Sequence, residues 1–221
     1  MNCRGYSVAQ FMQPEPSKYS HALNMEAKTF MQPEQSYFAH HSGRFFYIKC
    51  LDSGEFFSIP YEPVRTKLNS FNFSVGKDNL IWRINHLELE IQLSVSLPQN
   101  DVVEMWELSV ISHSEKTRNI AIYPYFSIGY MSWMNQSADF DKSLNGIVAS
   151  SITPYQKVED YFKNQHLKDK TFLLSKHQPI SWCANQPVFE GEGGLHNPDA
   201  LQFSQLPQQD ALYQTPVAAL Q

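Results

Sequence analysis

The chain has 221 residues, a formal net charge of −5, 42% hydrophobic residues and 14% aromatics. That apolar content supports a packed core and excludes global disorder. The acidic balance argues against a nucleic-acid partner, which selects a basic surface.

The length suits one large β domain or two small ones. No apolar run reaches bilayer length, so no membrane segment is expected. Met1 to Gln13 lacks the apolar core of a signal peptide. Cys3, Cys50 and Cys183 are odd in number and far apart. They suit a reducing compartment better than a disulfide framework, and the expected location is the cytoplasm.

Residues 1–36 carry Pro14, Pro16 and Pro33 among Gln, Ser and Glu with little periodicity, which predicts an arm or linker with at most an edge strand. A β-sandwich domain is expected over residues 37–221. Arg44 to Leu51 reads as a strand, Asp52-Ser53-Gly54 as a turn, and Glu55 to Ile59 as the returning arm of a hairpin. Lys67 to Val75 and Leu80 to Asn85 are the next strands. His86 to Leu97 is expected as one strand, with Leu87, Leu89, Ile91, Leu93, Val95 and Leu97 on one face and Glu88, Glu90, Gln92, Ser94 and Ser96 on the other. Val103 to Ser112 sets Trp106, Leu108 and Val110 on one face. Arg118 to Gly129 sets an apolar face of Ile120, Ile122, Pro124, Phe126 and Ile128 against a polar face of Asn119, Ala121, Tyr123, Tyr125 and Ser127, expected to meet solvent. No helix-sized crossover separates these strands, so an antiparallel meander or sandwich is expected.

After Gly129 the pattern weakens. Tyr130 to Leu144 is polar and aromatic without a period. Gly146 to Ile152 and Thr171 to Ser175 are strand-like, and Pro154 to Gln165 has helical spacing at Val158, Tyr161 and Phe162. Ser181 to Phe189 is ambiguous, and Glu190 to Leu201 is a glycine-rich loop leading into a helical turn. Tyr213 to Gln221 looks like the start of a further strand.

The residues alone assemble no catalytic constellation. Glu190-Gly191-Glu192-Gly193-Gly194 lacks the Gly-Lys-Ser/Thr ending of a phosphate-binding loop, and its glutamates would repel phosphate; a tight turn is the better reading. His40-His41 point to opposite faces of a strand and lack a third ligand. Asp139 and Asp141, with Glu159 and Asp160, are the carboxylates to consider for acid–base work, but sequence neighbours seldom face each other across a sugar. Tyr130, Trp133, Phe140, Tyr155, Tyr161 and Phe162 could stack on sugar faces or cap the β core.

Three blocks resemble glycoside hydrolase family 94, the cellobiose- and chitobiose-phosphorylase group, and the phosphorylase-like part of cyclic β-1,2-glucan synthases. The first is Phe45 to Pro63, FFYIKCLDSGEFFSIPYEP. The second is Asp101 to Gly129, DVVEMWELSVISHSEKTRNIAIYPYFSIG, with Ser112-His113-Ser114 where the family usually has Asn-x-Ser/Thr. The third is Phe189 to Leu201, FEGEGGLHNPDAL, with Glu192 where Arg is common. The resemblance implies a mainly β fold: a large antiparallel super-sandwich, galactose mutarotase-like, with a few short helices. In the family this domain precedes an (α/α)6 barrel that holds the aspartate general acid, and inorganic phosphate attacks the anomeric carbon with inversion. No barrel sequence is present, so no catalytic residue and no cofactor are expected here, and the chain reads as a C-terminally truncated fragment. The resemblance implies packing on the barrel, a share in a homodimer interface, and loops lent to the edge of a cleft for a β-glucan oligosaccharide. Tyr130, Trp133, Asn135, Phe140, Glu190, Glu192 and His196 are the carbohydrate-facing candidates. The rival reading is a free-standing carbohydrate-binding or interaction module, and a third is a broken relative with an unpaired strand edge.

Overall fold

A computed structural model describes residues 3–4, 11–12, 27–28, 44–101, 103–128, 135–152 and 170–221. Its strands are β1 (Phe11–Met12), β2 (Ala27–Lys28), β3 (Arg44–Cys50), β4 (Phe56–Ile59), β5 (Ser70–Val75), β6 (Asn79–His86), β7 (Leu89–Ser96), β8 (Met105–Ser112) and β9 (Ile120–Ser127). They continue with β10 (Asn135–Asp141), β11 (Gly146–Ile152), β12 (Lys170–Leu174), β13 (Trp182–Asn185), β14 (Ala211–Leu212) and β15 (Pro216–Leu220). Among the described residues one short helix, α1 (Gln186–Glu190), runs into 3-10 turns at Gly191–His196 and Asp199–Gln202. Among the described residues every strand pairing is antiparallel, so the fold is the mainly β sandwich that the alternation requires.

A five-stranded sheet in the order β13-β15-β9-β3-β4 is the middle layer. Side chains of its strands alternate between two faces, and both faces are buried. Phe46 and Ile48 of β3, Phe126 of β9 and Ala218 and Leu220 of β15 face one core. That core is closed by two four-stranded sheets: β5-β6-β7-β8 contributes Trp82, Ile84, Ile91 and Leu93, and β12-β11-β10-β14 contributes Ala138, Ile147, Ala149 and Ala211. Phe45 and Tyr47 of β3, Tyr123 and Tyr125 of β9 and Val217 and Ala219 of β15 face a second core, closed by Phe189, Ala200, Leu201 and Leu206. The second set on β9 was expected as a polar face. Tyr125 is instead fully buried and Tyr123 is 1% exposed. Tyrosine permits this because its ring is apolar and its hydroxyl needs only one partner.

Four further elements depart from expectation or sharpen it. The single strand over His86 to Leu97 is broken by a hairpin turn at Leu87 and Glu88, with φ of 52° and 60°. Two consecutive left-handed residues match the twist of the flanking strands. Asn or Gly normally announces such a turn, and Leu-Glu does not. Its cost is offset by ties to the neighbouring hairpin, where the His113 amide donates to the Glu88 carbonyl at 2.8 Å and Arg118 pairs with the Glu88 carboxylate. The aperiodic stretch after Gly129 contains β10, which pairs with both β11 and β14 and turns Ala138 inward. The ambiguous Ser181 to Phe189 stretch resolves into β13 and α1. The strand expected near the C-terminus is β15, which lies inside the central sheet between β13 and β9.

The described part of residues 1–36 includes the pair β1–β2. Residues 3–4 are fixed to the sandwich: Trp82 Nε1 donates to the Cys3 carbonyl at 2.7 Å, and the Glu62 amide donates to the Arg4 carbonyl at 3.0 Å. The helix expected over Pro154 to Gln165 lies outside the described residues. Among the described residues no helix is long and apolar enough to cross a membrane. Cys3 is exposed, Cys50 and Cys183 are buried, and all three are free thiols.

Candidate functional site

The third sequence block forms the cover over the second core. Asn185 caps α1, its Oδ1 accepting from the Val188 amide at 3.2 Å, and Pro187 sits in the first turn, where a missing N–H costs nothing. Phe189 then inserts between Tyr47 and Tyr125, with ring centroids 6.0 and 4.7 Å away. Burying that ring contributes about 2 kcal/mol.

Beneath the cover, each tyrosine hydroxyl finds one acceptor. Tyr125 donates to Glu190 Oε1 at 2.9 Å, and Gln186 Nε2 donates to the same oxygen at 2.6 Å. Tyr47 donates to the Leu195 carbonyl at 2.9 Å, and Lys49 Nζ donates to the Leu201 carbonyl. Burial, reinforced by the negative Glu190 carboxylate, holds the ionisation of both tyrosines well above the usual range. They therefore serve as neutral donors and not as acids or bases.

The glycines of this block serve its turns. Gly191 has φ of 56°, and a Cβ there would lie 2.0 Å from Asp199 Oδ2. That same oxygen accepts from the Glu192 amide at 3.1 Å, so the carboxylate occupies the space a side chain would need. Pro198, Ala200 and Leu201 are buried, whereas the polar side chains of Glu192, His196 and Asn197 are exposed on this turn. His196 Nδ1 donates to the Pro63 carbonyl at 2.9 Å, which fixes a proton on Nδ1 and ties the turn to the β4–β5 connection.

The first two blocks are also structural. Ser58 Oγ donates to the Tyr61 carbonyl and accepts from the Val64 amide, both at 2.9 Å. Glu62 is fully buried and ion-paired with Arg4 Nη2 at 2.6 Å and Arg65 Nε at 2.8 Å. In the second block, Glu104 Oε2 receives Arg44 Nε at 2.7 Å and Trp106 Nε1 at 3.0 Å. Arg44 is fully buried, and burial pulls its ionisation below the usual guanidinium range against the opposing effect of Glu104. Trp106 packs on Phe126 at 5.1 Å and Phe46 at 6.1 Å. Nothing in the pattern of Arg44 announced this role, because Glu104 is 60 positions away and reaches it only through the fold.

The candidate sugar-facing residues therefore separate. Tyr130 and Trp133 lie outside the described residues, as do Glu159 and Asp160. Asn135 opens β10, opposite Ile152. Phe140 turns inward and stacks on Trp182, with centroids 5.5 Å apart and planes 12° from parallel. Glu190 points under the cover, and Glu192 and His196 point out. Asp139 and Asp141 share the outer face of β10, where Asp139 stands beside Asp210 of the chain leading into β14. Among the described residues no three His, Cys, Asp or Glu side chains gather to hold a metal. The pocket between Cys50, Leu87 and Arg118 offers about 10 Å³, room for a water and not for a sugar ring.

The chain matches the family described as "Glycosyl hydrolase 94, supersandwich domain" over residues 13–221. It is 55% identical to a cellobionic acid phosphorylase from Neurospora crassa over 221 residues, covering 100% of this chain and 28% of that protein. It is 24% identical over 184 residues to a 3-O-beta-D-glucopyranosyl-beta-D-glucuronide phosphorylase from Paenibacillus borealis, covering 80% of this chain and 23% of that protein. It is 17% identical over 151 residues to an N,N'-diacetylchitobiose phosphorylase from Vibrio proteolyticus, covering 67% of this chain and 19% of that protein. The chain thus spans less than a third of the length of these relatives.

Proposed function

We propose a function for this chain from one premise: it belongs to glycoside hydrolase family 94, through that family's supersandwich domain. It serves as the non-catalytic sandwich of a longer inverting phosphorylase that cleaves a β-glucoside, transferring glucose to inorganic phosphate. The first substrate to test is cellobionic acid. The observation that carries this is identity of 55% across the whole chain with a cellobionic acid phosphorylase. The sugar acid named for the Paenibacillus relative supports an acidic acceptor.

Within that enzyme the sandwich packs on the catalytic domain, contributes to a dimer, and lends the exposed Glu192 and His196 to the rim of the sugar cleft. Three free thiols suit a reducing cytoplasm. The test is release of glucose 1-phosphate by the longer protein carrying this chain, supplied with phosphate and cellobionic acid, cellobiose or diacetylchitobiose in turn. Preference for cellobionic acid supports the reading. Turnover by the 221-residue chain alone would overturn its non-catalytic role.

A further inference from the structure

Cys3 and Arg4 are seated in a socket on the connection between β4 and β5. Two donors take their successive carbonyls. Trp82 Nε1 bonds the Cys3 carbonyl at 2.7 Å, and the Glu62 amide bonds the Arg4 carbonyl at 3.0 Å. The Arg4 guanidinium lies 5.1 Å above the centre of the Tyr61 ring, within cation–π range. Its Nη2 meets Glu62 Oε1 at 2.6 Å, and Arg65 Nε meets Glu62 Oε2 at 2.8 Å. The Glu62 carboxylate is fully buried, whereas the Arg4 and Arg65 side chains are 48% and 45% exposed. A buried carboxylate needs its charge partners far more than exposed guanidinium groups need theirs, so Arg4 holds Glu62 in place.

The same connection carries backbone strain. Arg65 has φ of 63°, a left-handed conformation disfavoured for a residue with a Cβ. It is held there by its amide on the Tyr61 carbonyl at 3.0 Å and by its side chain on Glu62. Withdrawing the Arg4 guanidinium from Glu62 therefore loosens one of the contacts that keep Arg65 strained. Ser58 Oγ clamps the flanking Tyr61 carbonyl and Val64 amide, so the connection keeps its overall path when the Arg4 side chain is changed.

One residue beyond Glu62, the Pro63 carbonyl accepts from His196 Nδ1 at 2.9 Å. The consecutive residues Glu62 and Pro63 thus join the third and fourth residues of the chain to the exposed turn Gly191–His196. Tyr47 of β3 anchors that turn through the Leu195 carbonyl, and the bond to Pro63 aims the imidazole itself.

We propose that Arg4 is a positioning residue for the Gly191–His196 turn: seated on Glu62, it fixes the Pro63 carbonyl, which orients His196. The link is carried by contacts in series, each of which must be made for the next to be held. Its bearing on sugar rests on the reading of this turn as part of the cleft rim. The mechanical link does not.

Hydrogen–deuterium exchange and phosphorolysis kinetics on the longer protein carrying this chain test the proposal, with Arg4→Ala as the variant. Amides of residues 191–197 should exchange about threefold faster in Arg4→Ala, with those of β11 unchanged, as a local opening requires. Arg118→Ala breaks an exposed ion pair with Glu88 away from this path and should leave the turn at its original rate. In Arg4→Ala the KM for cellobionic acid should rise about threefold with kcat within about twofold, the signature of weakened sugar binding. Unchanged exchange in the turn overturns the proposal. So does faster exchange of β11 to the same degree, which would mean a general loss of stability. Faster exchange confined to the turn, with KM unchanged for every sugar tried, upholds the link and removes the turn from the cleft rim. The same exchange result in a protein that releases no glucose 1-phosphate from any β-glucoside upholds the link and sinks the phosphorylase reading.

Discussion

The Tyr125 hydroxyl donates to the Glu190 carboxylate at 2.9 Å, joining the middle of the central sheet to the end of the helix that covers it. A strand residue expected to meet solvent and a loop residue expected to meet sugar are thus each other's partners. Tyr125→Phe should lower stability by about 1 kcal/mol, the usual worth of one intramolecular hydrogen bond. Combined with Glu190→Leu, which leaves no acceptor, the loss should be clearly non-additive, because both variants break one contact. Urea unfolding of the two single variants and the double variant measures this.

Gly191 and Asp199 compete for one space. Gly191→Ala should destabilise strongly, since a Cβ meets the carboxylate at 2.0 Å. In an Asp199→Ala background the clash is gone, and the residual cost should fall to about 1–3 kcal/mol, the strain of a non-glycine residue held at φ of 56° and ψ of −150°. Equal costs in the two backgrounds would disprove the steric account.

Phe189→Ala removes a fully buried ring from between Tyr47 and Tyr125. It should cost about 3–5 kcal/mol, as large core truncations do. Phe203→Ala, 64% exposed, is the control and should change the unfolding midpoint little.

Glu104→Gln should cost about 3 kcal/mol, because it withdraws the carboxylate from a fully buried guanidinium. Thermal unfolding with tryptophan fluorescence reads both consequences, since Trp106 Nε1 shares that acceptor.

His86 is buried beside Phe57, and burial lowers its affinity for a proton despite the nearby Glu55. The unfolded state therefore binds the proton more readily. The stability from neutral His86 is complete above the ordinary histidine range, about pH 6.5, and is lost as pH falls below it. The urea midpoint should fall between pH 7.5 and 5.0, with a shallower fall in His86→Gln. Parallel pH profiles for the two proteins would rule His86 out as the cause.

Alternation along β7, β8 and β9 was legible because a period of two follows from pleated geometry and needs no partner strand. The Asp52-Ser53-Gly54 turn was legible for the same local reason: Gly54 takes φ of 76°, where glycine is unstrained. The candidate site was legible only in part. Of the candidates, Glu192 and His196 are exposed, whereas Phe140 and Glu190 turn inward onto Trp182 and Tyr125, partners 42 and 65 positions away. No local pattern encodes such distances.

Most sheet-forming segments, the antiparallel class and the family were legible in the chain itself, β10 and β13 excepted, since each rests on neighbours in the chain or on fixed motif spacing. Only the tertiary structure decided which faces are buried. Whether a tyrosine row meets water or a helix, whether Leu87-Glu88 continues a strand or turns it, and whether β15 is an edge or a middle strand all depend on contacts between residues far apart in the chain. Burial is a property of what lies across from a residue, and the chain's own order does not specify that until it folds.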